Sequence, residues 1–492
     1  MKLHHLLLGL CISYIPFTQA ESVKGDSIKE KSQTLLVQTK QNDFPAEFKK
    51  KMTQASNGDV NAMIDIGIAY MDGTEFLEAD DKIAYRWFKK VADLDNTDGD
   101  YYLGMLLQNQ KKYTEAANWY RKGAEKGDAY CQYAMGFLYE RGLGVKEDDK
   151  QAKAWYSEAA EQGQAHAQFA LGMFYHDGLG GDVDYQKARE WYEKSAENGI
   201  SAAFNNLAVM YENGEGLEKD DATAIYLYRQ AANMGSAIAQ TNMGDFYQKG
   251  HPLIEKNSYQ AIYWYKRAAL QGDTSGQLAM AKAYENGDGV GLDLVEAFAW
   301  YQRAALNESS EAGMKVAEFY EKGLGGVKQD NAKAVEWYLS MADDDITPAQ
   351  LKLASLYLAG GLKDIDIKNI VDWLQLSEEN SIDAKNQLAV FYLTGTGVSQ
   401  DPRKARELWE KAAFKENSDA QNNLAVMYAR GIGGDKNIFR AVMWFERAEK
   451  LGNTKAKQNL TLLKNETKVK ANELQYTDDL QKILMKSKSN KV

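Results

Sequence analysis

Five asparagines recur at one spacing: Asn205 with Asn206, Asn242, and Asn422 with Asn423 stand five or six residues before Tyr211, Tyr247 and Tyr428. Asn386 and Gln387 hold the same places before Tyr392. A carboxamide donates and accepts at once, so such a series could hold the backbone of an extended peptide with little regard to its side chains. The same groups could instead satisfy local helix or loop atoms.

Acid–base and metal chemistry find little support. Beyond residue 20 the histidines are His166, His176 and His251. The first two fall ten residues apart on one expected helix, about 15 Å along its axis, too far to share a metal. Asp182 and Asp184 sit in GLGGDVDYQ, where an acidic residue before a helix reads as a cap rather than an oxygen-ligand site. Cys131 occupies a slot filled elsewhere by Ala or Gly, which makes it a small core residue rather than a reactive thiol. The chain has neither a nucleophile elbow nor a Gly-Lys-Ser phosphate loop. No catalytic residue, cofactor or metal set is assigned, and an enzyme (a hydrolase or a metal-dependent activity) is the weaker alternative.

The elements that would carry the asparagines follow from a period. Tyrosines 139, 175, 211, 247, 284, 320, 357, 392 and 428 recur every 35 to 37 residues, with Tyr70 in the same register and Leu107 between. Such a period marks a helical solenoid. Four residues before each tyrosine stands a large apolar residue and three before it Gly or Ala, which predicts a first helix with one apolar face and a place for close approach. A Gly-rich turn follows, as in GLGVKEDD (142–149), then a second helix with an aromatic pair such as Trp119–Tyr120, Trp155–Tyr156 or Trp191–Tyr192. All ten tryptophans fall in these pairs. Both members read as core, because each unit must bury a face against the next.

These residues resemble the Sel-one-like repeat family, a relative of tetratricopeptide repeats; QFALGMFYHDGLG with AREWYEKSAENG (168–199) matches it nearly position for position. The resemblance covers about 61–453 as eleven units, with local departures: the second unit lacks its Gly turn, the sixth has a longer loop, and the ninth has Ile370 in place of Ala. It implies an all-α, right-handed α-solenoid of about eleven helix-turn-helix repeats with helical caps. It further implies that the first helices line a concave face, with the residues nine, six and two before the tyrosine and one after it pointing into the groove. In the first four units those slots hold Ile64, Ile68, Met71, Tyr101, Met105, Tyr130, Tyr133, Phe137, His166, Phe169, Met173 and His176, an apolar and aromatic surface suited to a partner. In units seven and eight they read Ser275, Leu278, Lys282, Glu285, Glu311, Met314, Glu318 and Glu321, mostly charged.

The expected organisation is a signal peptide at 1–20, a flexible lead at 21–44, an N-terminal capping helix at 45–60, repeats at 61–453, a capping helix at 454–470 and a polar, Lys-rich tail at 471–492. Lys2, the apolar run LLLGLCISYIPF (6–17) and Thr18-Gln19-Ala20 have the order of a secretory signal cleaved after Ala20. Cleavage would leave Cys131 alone, with no internal disulfide. The net charge of −11 disfavours nucleic acid and anionic membranes, and no later stretch could insert stably in a bilayer. The expected protein is a periplasmic or secreted scaffold that binds a protein or peptide on its concave face. The resemblance implies envelope regulation, assembly or host contact. A lumenal quality-control subunit is a further alternative, permitted by the sequons Asn307-Glu308-Ser309 and Asn465-Glu466-Thr467.

Overall fold

In a computed structural model the described residues are 44–360, 362, 366–465 and 474–476. The expected signal, nearly all of the expected lead and most of the expected tail lie outside them. The described residues form 24 helices of 11 to 13 residues, the all-α solenoid of helical hairpins that the period predicts. Two compact units divide the chain. In the unit ending at Ile200, helix Ala46–Ser56 precedes four hairpins; the unit beginning at Ser201 has seven hairpins and a closing helix, Thr454–Asn465. Within each unit a helix packs chiefly on those before and after it in the chain, as repeat architectures require.

Capping sets the helix starts. Asp148, Asp184, Asp220, Asp293 and Asp401 each accept a backbone N–H of the first turn of a second helix, satisfying groups that the helix cannot pair itself. Asp184 therefore does the capping expected of it. Most first helices end at glycines with positive φ, such as Gly142 at 63° and Gly178 at 71°. Two residues on, the backbone of Gly144 lies against Tyr113 and that of Gly180 against Asp149, so a Cβ there would come within 2.3 and 2.5 Å of backbone atoms. These glycines seat the turn on the second helix of the previous repeat.

The aromatic pair divides its labour, which corrects the expectation that both members are core. The second ring is buried: Tyr156 and Tyr192 are 1% exposed and Tyr301 0%. It lies on the small residue of its own first helix; a Cβ on Gly136 or Gly172 would stand 2.6 Å from the Tyr156 or Tyr192 ring. Its hydroxyl donates to a carboxylate on that helix, Tyr156 to Glu140 and Tyr228 to Glu212, both at 2.7 Å, and Tyr265 to Asp245 at 2.7 Å. Many of the tryptophans are only half-buried, including Trp119, Trp155 and Trp191. The cation three residues on covers the ring, as Lys194 does over Trp191 at 3.9 Å and Arg303 over Trp300 at 4.3 Å. A tryptophan one residue from the buried ring points about 100° away from it on the helix, toward the rim of the contact.

Candidate functional site

Three surfaces of the first helices could receive a ligand. In the unit ending at Ile200, helices Thr97–Asn109, Ala129–Arg141 and Ala165–Asp177 bring the aromatic set partly together. The rings of Tyr101 and Tyr130 lie 5.7 Å apart, those of Tyr133 and His166 6.0 Å, and Tyr130 is 58% exposed. Burial pushes the Tyr101 and Tyr133 hydroxyls up to about 12, aided by neighbouring acidic groups. Met105, Phe137 and Met173 are half-buried, with the Arg141 guanidinium 6.0 Å from the Phe137 ring. Phe169 is not on this surface. It is 5% exposed, its ring 5.7 Å from that of Tyr192. The equivalent Tyr101 and Tyr133 lean on Tyr120 and Tyr156 in the same way; Phe169 has no hydroxyl to keep wet, so it beds fully into the hairpin.

The charged stretch, in the unit beginning at Ser201, is bridged from repeat to repeat. Lys282 pairs with Glu311 at 2.7 Å, Lys315 with Glu285 at 2.8 Å and Lys352 with Glu321 at 3.0 Å. A depression of about 330 Å³ opens among Glu311, Lys315, Glu318, Glu321 and Tyr338. These pairings neutralise the face internally, which leaves little unspent charge for a partner.

The asparagines form the third surface, and near the end of the chain they hold a peptide. Leu474, Gln475 and Tyr476 run without helix across helices Ser418–Arg430 and Thr454–Asn465. Asn459 grips Gln475 at both backbone groups: its Oδ1 accepts from the Gln475 N–H at 2.9 Å and its Nδ2 donates to the Gln475 carbonyl at 2.7 Å. Asn422 Nδ2 reaches the same carbonyl at 3.5 Å, and Asn422 Oδ1 accepts from Asn459 Nδ2 at 2.9 Å. The Arg430 guanidinium donates to the Leu474 carbonyl. Leu474 and Tyr476 are each 1% exposed, the tyrosine ring 6.3 Å from Trp409 and 5.2 Å from the Arg430 guanidinium. Trp409 is fixed in turn by its indole N–H, which donates to Asn386 Oδ1 at 2.9 Å. Asn422 and Asn423 are thus buried rather than open to solvent. Asn205 is buried too; it accepts from Asn242 at 3.3 Å, the pairing that Asn459 makes with Asn422, again 37 residues apart. Asn206 is half-buried.

Catalytic chemistry is less well furnished. Among the described residues no three His, Cys, Asp or Glu side chains converge as metal ligands, and no helix is long and apolar enough to cross a membrane. Cys131 is fully buried, its Sγ against Gly123, and burial pushes its thiol up, away from the reactive thiolate.

Ten stretches between residues 60 and 453 match the Sel1 repeat family: 60–96, 98–128, 129–164, 165–200, 201–236, 237–273, 274–309, 310–345, 382–413 and 418–453. The chain belongs to the Sel1 repeat family. Among solved structures it is similar to c5321, described as a protective antigen of uropathogenic Escherichia coli with an SLR fold, at 28% identity over 90% of this chain and 94% of that one, TM-score 0.58. A Sel1 repeat protein from Oxalobacter formigenes is 33% identical over 50% of this chain and 99% of its own, TM-score 0.47. A curated relative, the ERAD-associated E3 ubiquitin-protein ligase component HRD3B of Arabidopsis thaliana, is 33% identical over 99 residues; the match spans 20% of this chain and 16% of that protein.

The Sel1 repeats hold two kinds of residue that the sequence reading passed over. Asn459 stands immediately before Leu460, as Asn423 stands before Leu424; that register is the signal, and it is hidden because the closing helix has, among the described residues, no second helix to complete a repeat. The second is a glutamine seven before the tyrosine. Gln132, Gln168, Gln240, Gln277, Gln350 and Gln421 are buried, and each donates to the carbonyl eight residues back, at the end of the preceding second helix. Most accept from the end of the following second helix as well, as Gln168 does from Asn198 at 2.9 Å and Gln240 from Gln271 at 2.8 Å. Each glutamine therefore stitches consecutive repeats.

Proposed function

We propose that this Sel1 repeat protein is a non-catalytic scaffold that binds extended segments of protein partners along its first helices, with backbone groups held by paired asparagines. The supporting observation is the grip of Asn459 on both backbone groups of Gln475, a contact that reads main chain and not side chain. The repeated Asn205–Asn242 pairing supports a second place of the same kind. Tyr101, Tyr130 and Tyr133 would supply aromatic anchors elsewhere, since rigid rings lose little rotamer freedom on contact. Selection of a displayed random-peptide library on the full chain should enrich binders whose affinity falls about tenfold in Asn242→Ala or Asn459→Ala, as loss of buried hydrogen bonds predicts. A library with no enriched peptides would overturn the reading.

Export to the periplasm or beyond belongs to the same proposal, supported by the order of charge, apolar run and Thr-Gln-Ala at the N-terminus. Protein recovered from its native host should begin at or near Glu21; a product starting at Met1 would refute export. A lumenal quality-control subunit is the second reading, favoured by the 99-residue likeness to HRD3B. It has less support, because the Asn307 amide already donates to Gly272 and Gln277 at 3.2 and 3.0 Å, and glycosylation would take one of those two hydrogens.

A further inference from the structure

We infer that the groove formed by Asn422, Asn459, Arg430 and Trp409 is a binding site for an extended segment reading apolar, any residue, phenylalanine. The chain's own Leu474-Gln475-Tyr476 is then a weaker occupant that such a partner displaces. The inference rests on the peptide-binding reading above and adds the ligand's sequence and its regulation.

Three observations carry it. First, the groove separates main chain from side chain: Gln475 is bound through N–H and carbonyl and its side chain is exposed, whereas Leu474 and Tyr476 on either side are buried to 1%. Alternation of this kind is how an extended peptide is read, with backbone bonds for affinity and alternate pockets for specificity. The central position therefore accepts any residue. Second, the aromatic pocket is built for a ring and not for a phenol. Trp409 lies alongside the Tyr476 ring and the Arg430 guanidinium faces it, yet the buried Tyr476 hydroxyl has no hydrogen-bond partner among the described residues. The second-helix tyrosines Tyr156, Tyr228 and Tyr265, by contrast, each have a carboxylate waiting at 2.7 Å. An unpaired buried hydroxyl lost water and gained nothing, so phenylalanine fits the same pocket without that penalty. Third, the occupant is tethered, so it competes by local concentration and needs little intrinsic affinity to keep the groove covered.

The test uses the full chain and two fluorescently labelled synthetic peptides. One copies KANELQYTDDL (470–480), and the other carries phenylalanine in place of its tyrosine. The phenylalanine peptide should bind at least about fivefold more tightly, the low end expected for removing an unsatisfied buried hydroxyl. Tyr476→Ala should strengthen binding of both peptides about tenfold by freeing the groove, and Tyr476→Phe should weaken it. Adding Asn459→Ala to Tyr476→Ala should abolish the gain. Binding that depends on Asn459 but is equal for the two peptides and indifferent to residue 476 would sink this inference while leaving peptide binding intact. No binding to any variant would remove the peptide-binding reading of this groove as well. If Tyr476→Ala fails to fold, Tyr476→Phe, which keeps the ring, carries the test: peptide binding no weaker than to the unsubstituted chain would overturn the inference.

Discussion

Adjacent aromatic residues in one helix turn have different jobs, and substitution should separate them. Tyr192 is 1% exposed beneath Gly172, while Trp191 is half-buried under Lys194. Tyr192→Ala should cost about 3–5 kcal/mol in denaturant melts, the range for emptying a buried aromatic site. Trp191→Ala should cost less, about 1–2 kcal/mol, because water already reaches part of the ring. Gly172→Ala should destabilise by about 1–3 kcal/mol, since the new methyl would meet the Tyr192 ring at 2.6 Å. The reverse holds at four turns: Asp95, Glu308, Asp345 and Glu416 have φ between 59° and 65°, where other repeats place glycine, as at Gly163 and Gly235. Glu308→Gly should raise stability by about 0.5–1 kcal/mol by relieving a left-handed backbone; an unchanged or lowered melting temperature would refute that account. The period located Gly172 and the aromatic pair from the sequence but could not say which ring lies inward, because neighbouring residues differ by a rotation that an average over eleven repeats leaves open.

At the level of the hairpin, the buried phenols make a pH-dependent bond between two helices. Burial first, then the hydrogen bond and charge of a neighbouring carboxylate, pushes the hydroxyls of Tyr228, Tyr265, Tyr301 and Tyr338 well above the ordinary tyrosine value. Below pH ~10 both folded and unfolded chains keep these protons, and the stabilisation is complete. Above it the unfolded chain releases them while the folded chain does not, so stability falls as pH rises from there through the folded values. Melting temperature should therefore drop between pH 9 and 11, less steeply when Tyr228, Tyr265 and Tyr301 are all replaced by Phe; an equal drop would assign the alkaline loss to other groups. The ninth hairpin shows the limit of reading elements from a motif. Its second helix, Ile367–Ser377, has 11 residues, buries Ile370 and Leu374 in the places of Ala and Tyr, and lies outside the family matches. Apolar spacing alone announced it, since size and shape at the core can vary while the helix periodicity remains.

Over the whole molecule, packing between sequence neighbours makes stability local. The ninth hairpin packs less extensively on its neighbours than the others do, so native-state hydrogen exchange should find its helices, Thr347–Leu358 and Ile367–Ser377, the first of the repeats to open. Uniform protection across Ser201–Asn465 would show instead one cooperative block. The repeat number and hairpin order were readable in the chain because they are periodic. The seat of Leu474 and Tyr476 was not, because it joins residues 44 and 67 apart, Arg430 with Leu474 and Trp409 with Tyr476, through a contact that has no period. The asparagine register pointed to carboxamides at Asn422 and Asn423, but not to Asn459 or to the segment it holds. The glutamine stitch has an evolutionary consequence. Since Gln132 and Gln168 make equivalent bonds to the helix behind and the helix ahead, excising residues 133–168 would let Gln132 take over the partner of Gln168, Asn198, while keeping its own at Ala124. The gene can therefore gain or lose whole modules at these joints by unequal crossing-over, lengthening or shortening the protein without orphaning a buried polar group at the seam.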